Sequence, residues 1–298
     1  MCKLFGISRQ AYYQGLAREE KKKENRLKIV KQVKAIRKKH KKMGGVKLYD
    51  KVKPVFEEYL IKCGRDKFLI ILKEENLQVH TRKRFIKTTQ SKHMFYKHPN
   101  LVQHIRIERS EQVWVSDITY IRTKEGFMYL YLITDAYSKQ IMGWALSDNM
   151  KTINAVEALK MALKNRRYPE RELTHHSDRG FQYCNPLYIE LLGKNGIKPS
   201  MTTKYDPYEN AIAERVNGIL KTEYEIGEGF LGEKDARREI KYAIWLYNTD
   251  RPHMSCNGLV PCEAHVLENY RLRTWSKKKK SAEPTAFYAP NPTWDWVL

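Results

Sequence analysis

Three carboxylates stand where they could work together: Asp117, Asp178 and Glu214. Asp117 lies inside the strand-like run 112–121 (QVWVSDITYI), and Asp178 closes a second strand-like run, 172–176, just ahead of Gly180. Glu214 falls within an expected helix that starts at Asp206. There Asp206 caps, Pro207 takes the first helical position and Glu209 completes a capping box. Carboxylates on rigid elements suit hard divalent cations, and Mg²⁺ in particular prefers oxygen ligands while keeping water or phosphate in its other positions. Two such ions about 4 Å apart activate the attacking oxygen of a phosphodiester and stabilise the leaving one. A lone Asp at a strand end or a lone Glu on a helix is ordinarily a solvated residue. Asp117 differs because it follows Trp114 and Val115 in a run too apolar for a surface strand. A buried charge without a partner is costly, and a metal ion is one way to compensate it.

The elements that must hold these residues follow a recognisable rhythm. Strands are expected at 112–121, 127–135 and 139–147, an antiparallel meander with a turn at Gly126. A helix at 152–165 comes next, then a strand at 172–177, a helix at 185–195, a short strand at 197–201 and the helix from Pro207. This is the ribonuclease H order. A further amphipathic helix, 233–249, carries Ile240, Ala243, Ile244 and Tyr247 on one face.

Charge is distributed unevenly over the 298 residues. Residues 1–108 hold 29 Lys and Arg against 10 Asp and Glu, so they carry 19 of the net +22. A basic block ahead of a near-neutral domain is the footprint of a polyanion binder, and nucleic acid is the commonest polyanion. The five cysteines contain no C-x-x-C pair, and their odd number argues against a disulfide framework. No signal-type segment and no apolar run of about 18 residues occurs, so the chain is expected to be neither secreted nor membrane-spanning.

In the basic block, residues 1–16 read as the end of a helical unit capped by Ser8, with Arg9 placed to meet DNA. Residues 17–42 form a lysine-rich helix with an apolar stripe of Leu27, Val30, Val33 and Ile36. Gly44-Gly45 breaks it, and a helix over 46–60 must kink or restart at Pro54. The turn at 61–65 and a helix over 66–77 complete a helix-turn-helix outline that presents Arg65, Lys67 and Lys73. Residues 80–108 are a basic linker, and the end of the chain, 276–298, is a basic, loosely held tail.

A set of motifs in this order closely resembles the insertion-sequence-three family of bacterial transposases, which share the retroviral-integrase core. They are WVSDITY at 114–120, DAYSK at 135–139, HSDRG at 176–180, Asn210-Ala211 with Glu214, LKTE at 220–223, and Tyr247-Asn248 with Arg251-Pro252-His253. Asp178 and Glu214 are separated by 35 residues, the spacing of a D,D-35-E triad. The resemblance implies an α/β ribonuclease H-like (integrase) catalytic core at 109–226. A helical extension at 227–275 would follow it, and a mostly α, helix-turn-helix-containing basic region at 1–79 would precede it.

The resemblance further implies that Asp117, Asp178 and Glu214 hold two Mg²⁺ ions, with Mn²⁺ as a substitute, and that Lys221 holds a DNA phosphate. Asn210 would line the site, and His176 and Gln182 would have secondary roles. Asp135 is the nearest rival for the first metal position, but its Asp-x-x-Ser-Lys setting suits a structural hydrogen bond, so Asp117 is preferred. The pattern departs from many relatives at Arg179, where glutamine is common, and that guanidinium is expected to touch DNA. The segment 205–208 also lacks a glycine-rich loop frequent among relatives. The implied activity is cleavage and transfer of DNA strands at terminal inverted repeats, by at least a dimer on paired ends, in the bacterial cytoplasm on nucleoid DNA. An upstream-frame protein is an expected partner, because the first helix-turn-helix looks incomplete. A nonspecific ribonuclease H-like nuclease and a catalytically inactive DNA-binding regulator are the alternatives.

Overall fold

Trp114 and Ile121 are wholly buried near the two ends of one strand, β1 (Val113–Thr123), which forms the middle of a five-stranded sheet. The computed structural model describes residues 8–79, 94–203 and 210–267. β2 (Gly126–Asp135) and β3 (Ile141–Ser147) continue antiparallel from β1, while β4 (Leu173–Ser177) and β5 (Ile197–Met201) run parallel on its other side. The order is β3-β2-β1-β4-β5. A strand flanked on both edges and covered on both faces needs the apolar sequence that β1 has.

Helices cover both faces. α4 (Thr152–Lys164) and α6 (Pro186–Lys194) bury Leu159, Tyr188 and Leu192 against Trp114, Tyr131 and Met142. On the opposite face α7 (Ala211–Glu223) and α8 (Glu233–Thr249) pack Val216, Leu220, Ile240, Ile244 and Tyr247 on Ile121, Leu130 and Leu132. Layers and strand order together are the ribonuclease H-like arrangement. α4 lies so close to β3 that a Cβ on Gly143 would sit 2.2 Å from the Ala158 carbonyl oxygen. A four-residue helix, α5 (Phe181–Cys184), follows Asp178 and was not foreseen from the sequence. The capping arrangement of Asp206, Pro207 and Glu209 lies outside the described residues, and α7 itself begins at Ala211.

The basic region departs from expectation in three places. Residues 9–16 do not end a separate unit. They open a single helix, α1 (Arg9–Lys39), whose cap is Ser8, its hydroxyl accepting from the Ala11 amide at 3.1 Å. The apolar stripe of α1 uses Ile29 with Val30 and Val33, whereas Leu27 is 70% exposed. α2 (Gly45–Glu58) continues through Pro54 without a restart, and the carbonyl that loses its partner there belongs to exposed Asp50, which can turn to water. α3 (Arg65–Glu74) then completes the small core of Leu48, Val52, Phe56, Phe68 and Leu72.

This helical region is seated on α7 and α8 of the sheet-bearing core. His40 is 2% exposed, its Nε2 lying 2.8 Å from Asp250 Oδ2 and its Nδ1 3.2 Å from the Tyr224 hydroxyl. Lys42 reaches Glu225 at 3.0 Å, Lys47 reaches Glu223 at 3.1 Å, and Lys51 pairs with Asp250. Part of the basic surplus therefore neutralises the core rather than facing outward. The later half of the linker runs beside β5, where the Met201 amide donates to Pro99 O at 3.3 Å and the Leu101 amide to Ser200 Oγ at 2.9 Å. The tail at 276–298 lies outside the described residues.

The last described helix, α9 (Pro261–Val266), puts His265 into a buried polar knot. His265 Nε2 is 3.2 Å from Glu111 Oε1, and Nδ1 is 2.9 Å from Ser138 Oγ. Glu111 also accepts from the Arg167 and Tyr168 amides at 2.6 and 3.0 Å, which satisfies a carboxylate with no exposed surface.

Candidate active site

Parallel pairing sets the first two carboxylates side by side. Trp114 pairs with His175 and Val115 with His176, so carrying the register two residues on brings Asp117 level with Asp178. Neighbouring strands lie about 4.8 Å apart. The pairing is locked from below by His175, whose Nε2 lies 2.6 Å from Ser116 Oγ and 2.9 Å from the Tyr188 hydroxyl. Burial, helped by His176, pushes the His175 imidazole down to about 3, so it stays neutral in this lock. His176 is buried beside it with Nδ1 2.9 Å from Ser200 Oγ, a structural position.

Asp178 ends its strand in a tight exit. The Gly180 amide donates to Asp178 Oδ1 at 3.0 Å, and a Cβ on Gly180 would come within 2.9 Å of that same oxygen. The glycine is thus required by the carboxylate, since its backbone has an ordinary negative φ of −68°. Gln182 Nε2 donates to Met150 O at 2.9 Å and ties α5 to the loop ahead of α4.

The third carboxylate is brought in by α7. Asn210, Glu214, Asn217 and Lys221 follow one another at four, three and four residues, which places them along one helical stripe. Both asparagines bond β1: Asn210 Nδ2 donates to Ser116 O at 2.9 Å, and Asn217 Nδ2 donates to Asp117 Oδ2 at 2.7 Å. Glu214 stands between them at the exposed edge of the stripe. Lys221 is half-buried; burial lowers its ammonium, and the charge of Asp117 pulls it back up.

Burial and the charge of Asp178 push the Asp117 carboxyl up to about 7, against the Asn217 hydrogen bond, and Glu214 adds to the rise. Glu214 is itself raised by burial. A part-buried carboxyl raised by two neighbouring carboxylates offers oxygen donors of the kind a hard divalent cation prefers. Among the described residues no three His, Cys, Asp or Glu side chains are gathered closely enough to hold an ion. Asp135, the rival, is fully buried and accepts from the Glu111 amide at 2.7 Å, the Tyr137 amide at 3.1 Å and the Ser138 amide at 2.8 Å. Its role is structural.

The other expected contact residues are spread over the chain. Arg179 is half-buried beside Asp178. Arg65, Lys67 and Lys73 are exposed on α3, and Arg9 is exposed at the start of α1. Asn210 is only 7% exposed, and its amide is committed to β1. Asn217 was missed in the sequence reading. Its signal was available, three residues after Glu214 and four before Lys221, but asparagine inside a helix attracts no notice until its partner is known.

Two integrase core domain families match the chain, one over residues 108–207 and the other over 195–261. An uncharacterized 31 kDa protein of insertion element IS600 from Shigella sonnei is 35% identical over 266 residues, covering 88% of this chain and 96% of that protein. Transposase InsF for insertion sequence IS3A from Escherichia coli K12 is 34% identical over 192 residues, 64% of this chain and 66% of that protein. Among solved structures, the HTLV-2 integrase catalytic core domain in complex with magnesium aligns with a TM-score of 0.43 at 18% identity, over 54% of this chain and 99% of that one. No described helix is long and apolar enough to cross a membrane. With the order of its motifs, the integrase core domain matches and the two insertion-sequence relatives in agreement, the chain belongs to the insertion-sequence-three family of transposases, polynucleotidyl transferases with an integrase-type DDE core.

Proposed function

We propose that the protein binds the terminal inverted repeats of its own insertion sequence and joins their ends to target DNA by metal-dependent cleavage and strand transfer. Asp117, Asp178 and Glu214 are the residues that would hold the divalent cations, two Mg²⁺ ions with Mn²⁺ as substitute. The observation that carries this reading is the stripe of α7, tied to β1 at Asn210 and at Asn217 with Glu214 between. Bound cations would supply activation of the attacking oxygen and charge stabilisation of the leaving one.

The chain's own residues prepare that chemistry. Asn217 fixes one oxygen of Asp117, and the Gly180 amide fixes one oxygen of Asp178, so neither carboxylate turns freely. Lys221, close enough to feel Asp117, is the anchor for a phosphate of the strand end. Arg179, beside Asp178, extends the positive lining. Arg65, Lys67 and Lys73 on α3, with Arg9, would grip backbone phosphates farther away; such contacts fix register and need only Lys and Arg. Two ends handled together require at least two copies of the chain. The setting would be nucleoid DNA in the bacterial cytoplasm.

The test is a labelled duplex carrying the terminal repeat, incubated with the full-length protein and Mg²⁺ or Mn²⁺. Joined product should form with wild type and disappear with Asp178→Asn, while repeat binding persists. Joining by the variant at the wild-type rate would remove the catalytic assignment. Cleavage without joining would favour a nuclease, and binding without either reaction a regulator.

A further inference from the structure

Glu223 closes α7 nine residues after Glu214, and its carboxylate is shared by two cations from opposite ends of the sequence. Arg251, just after α8 and only 1% exposed, donates through Nε to Oε2 and through Nη2 to Oε1, each at 2.8 Å. Lys47, near the start of α2, donates to Oε1 at 3.1 Å, with 13% of its side chain exposed. The backbone of Glu223 is bound as well, since its carbonyl accepts from the Lys42 amide at 3.0 Å. On the next residue, the Tyr224 hydroxyl lies 3.2 Å from Nδ1 of buried His40. One end of the helix bearing Glu214 is thus gripped by the core and by the basic helical region together.

A surface ion pair would mean little, but these groups are withdrawn from water. The Arg251 fork is bidentate, and bonds of this kind between charged groups are short and directional. The two ends of α7 then have different anchors. Asn210 and Asn217 fix its rotation against β1. The Glu223 joint fixes its axial placement, and two of the three holds there come from outside the core: the Lys47 side chain and the Lys42 backbone amide.

From this shared carboxylate we infer that Glu223 is a positioning residue for strand transfer and that Lys47 lets the N-terminal helical region set the placement of the catalytic helix. The N-terminal region then acts on the chemical step as well as on DNA binding. The inference rests on Glu214 being one of the metal-holding carboxylates.

The experiment compares full-length wild type, Lys47→Met, Lys47→Arg and Glu214→Gln. The measured quantities are repeat-end affinity and the strand-transfer rate at saturating DNA, below the melting temperature of every variant. Small displacements of catalytic groups cost large factors in rate. Lys47→Met is therefore expected to keep affinity within about two-fold and to lose at least about ten-fold in rate, with Lys47→Arg recovering most of it. Amide hydrogen exchange in the second half of α7 should quicken in Lys47→Met, a readout independent of activity. Unchanged exchange and an unchanged saturated rate would overturn the inference, as would a loss confined to affinity, which would make Lys47 a DNA contact. Strand transfer surviving in Glu214→Gln would instead overturn the reading on which the inference stands.

Discussion

Asn217 donates its side-chain amide to Asp117 Oδ2 at 2.7 Å, so a neutral helix residue orients the carboxylate at the middle of the sheet. The bond also opposes the rise of the Asp117 carboxyl caused by burial and by Asp178.

Replacing Asn217 with alanine should lower strand transfer by at least about ten-fold, since the carboxylate loses its orientation. Stability should fall by only about 1 kcal/mol, the net worth of a typical hydrogen bond. With the lowering contact gone, the Asp117 carboxyl rises further, so the acidic limb of the pH–rate profile should move to higher pH. A limb that stays in place while the rate falls would assign the loss to something other than Asp117.

Divalent cation should stabilise the fold in a pH-dependent way. Asp117 titrates near 7 in the folded chain against an ordinary 3.8, so between those values the folded state binds the extra proton. Without metal, stability contributed by this group is therefore lost as pH rises through that window. A cation that binds only the folded, ionised site restores it. Added Mg²⁺ should raise the melting temperature more at pH 8 than at pH 5.5, and Asp117→Asn should lose most of that difference.

Glu223 gives the opposite sign. Burial alone would raise its carboxyl, but the hydrogen bonds and charge of Arg251, with Lys47, hold it down to about 2 against an ordinary 4.5. A depressed carboxyl stabilises the fold above its unfolded value and loses that contribution as pH falls from 4.5 toward 2. The shift corresponds to about 3 kcal/mol. Denaturant midpoints of wild type should drop steeply across that window, while Glu223→Gln should start lower and fall less.

Two glycine substitutions should separate function from folding. Gly180→Ala places its Cβ against Asp178 Oδ1, a side-chain atom that would be pushed out of its hydrogen bond to the residue-180 amide, so activity should collapse with a stability change within about 1 kcal/mol. Gly143→Ala meets the backbone of α4 at Ala158 and Ala162, which cannot move without the helix. It should destabilise by about 2 kcal/mol or more, as overpacking does. Thermal melts beside strand-transfer assays on both variants would show whether the two effects part in this way.

The sheet and its helices were legible because alternation and apolar runs report burial directly, as at Trp114, Leu130 and Ile244. The three proposed carboxylates were singled out by spacing and motif, while the side chains that hold Asp117 and Asp178 in place were for the most part not. Asn217 looks like an ordinary helix residue until β1 lies beneath it, and Asn210, expected to line the site, instead spends its amide on β1. The engagement of Lys42, Lys47 and Lys51 with acidic groups of the core was hidden inside a general excess of lysine. Composition counts charges but does not say which ones already have partners. Leu27 misled for a related reason: a spacing of threes fitted a stripe, yet the packed face of α1 turned on Ile29 instead.

α1 leaves the rest of the molecule early. Arg26 is the first of its residues whose side chain bonds another described element, reaching Glu74 and Glu75 on and just after α3. At 1.5 Å per residue, the stretch from Arg9 to that point projects roughly 25 Å. A rod of that length ends in exposed Arg9, Tyr12 and Tyr13, so the nuclease-protection footprint on the element's end should be longer than the sheet and its covering helices alone can shadow.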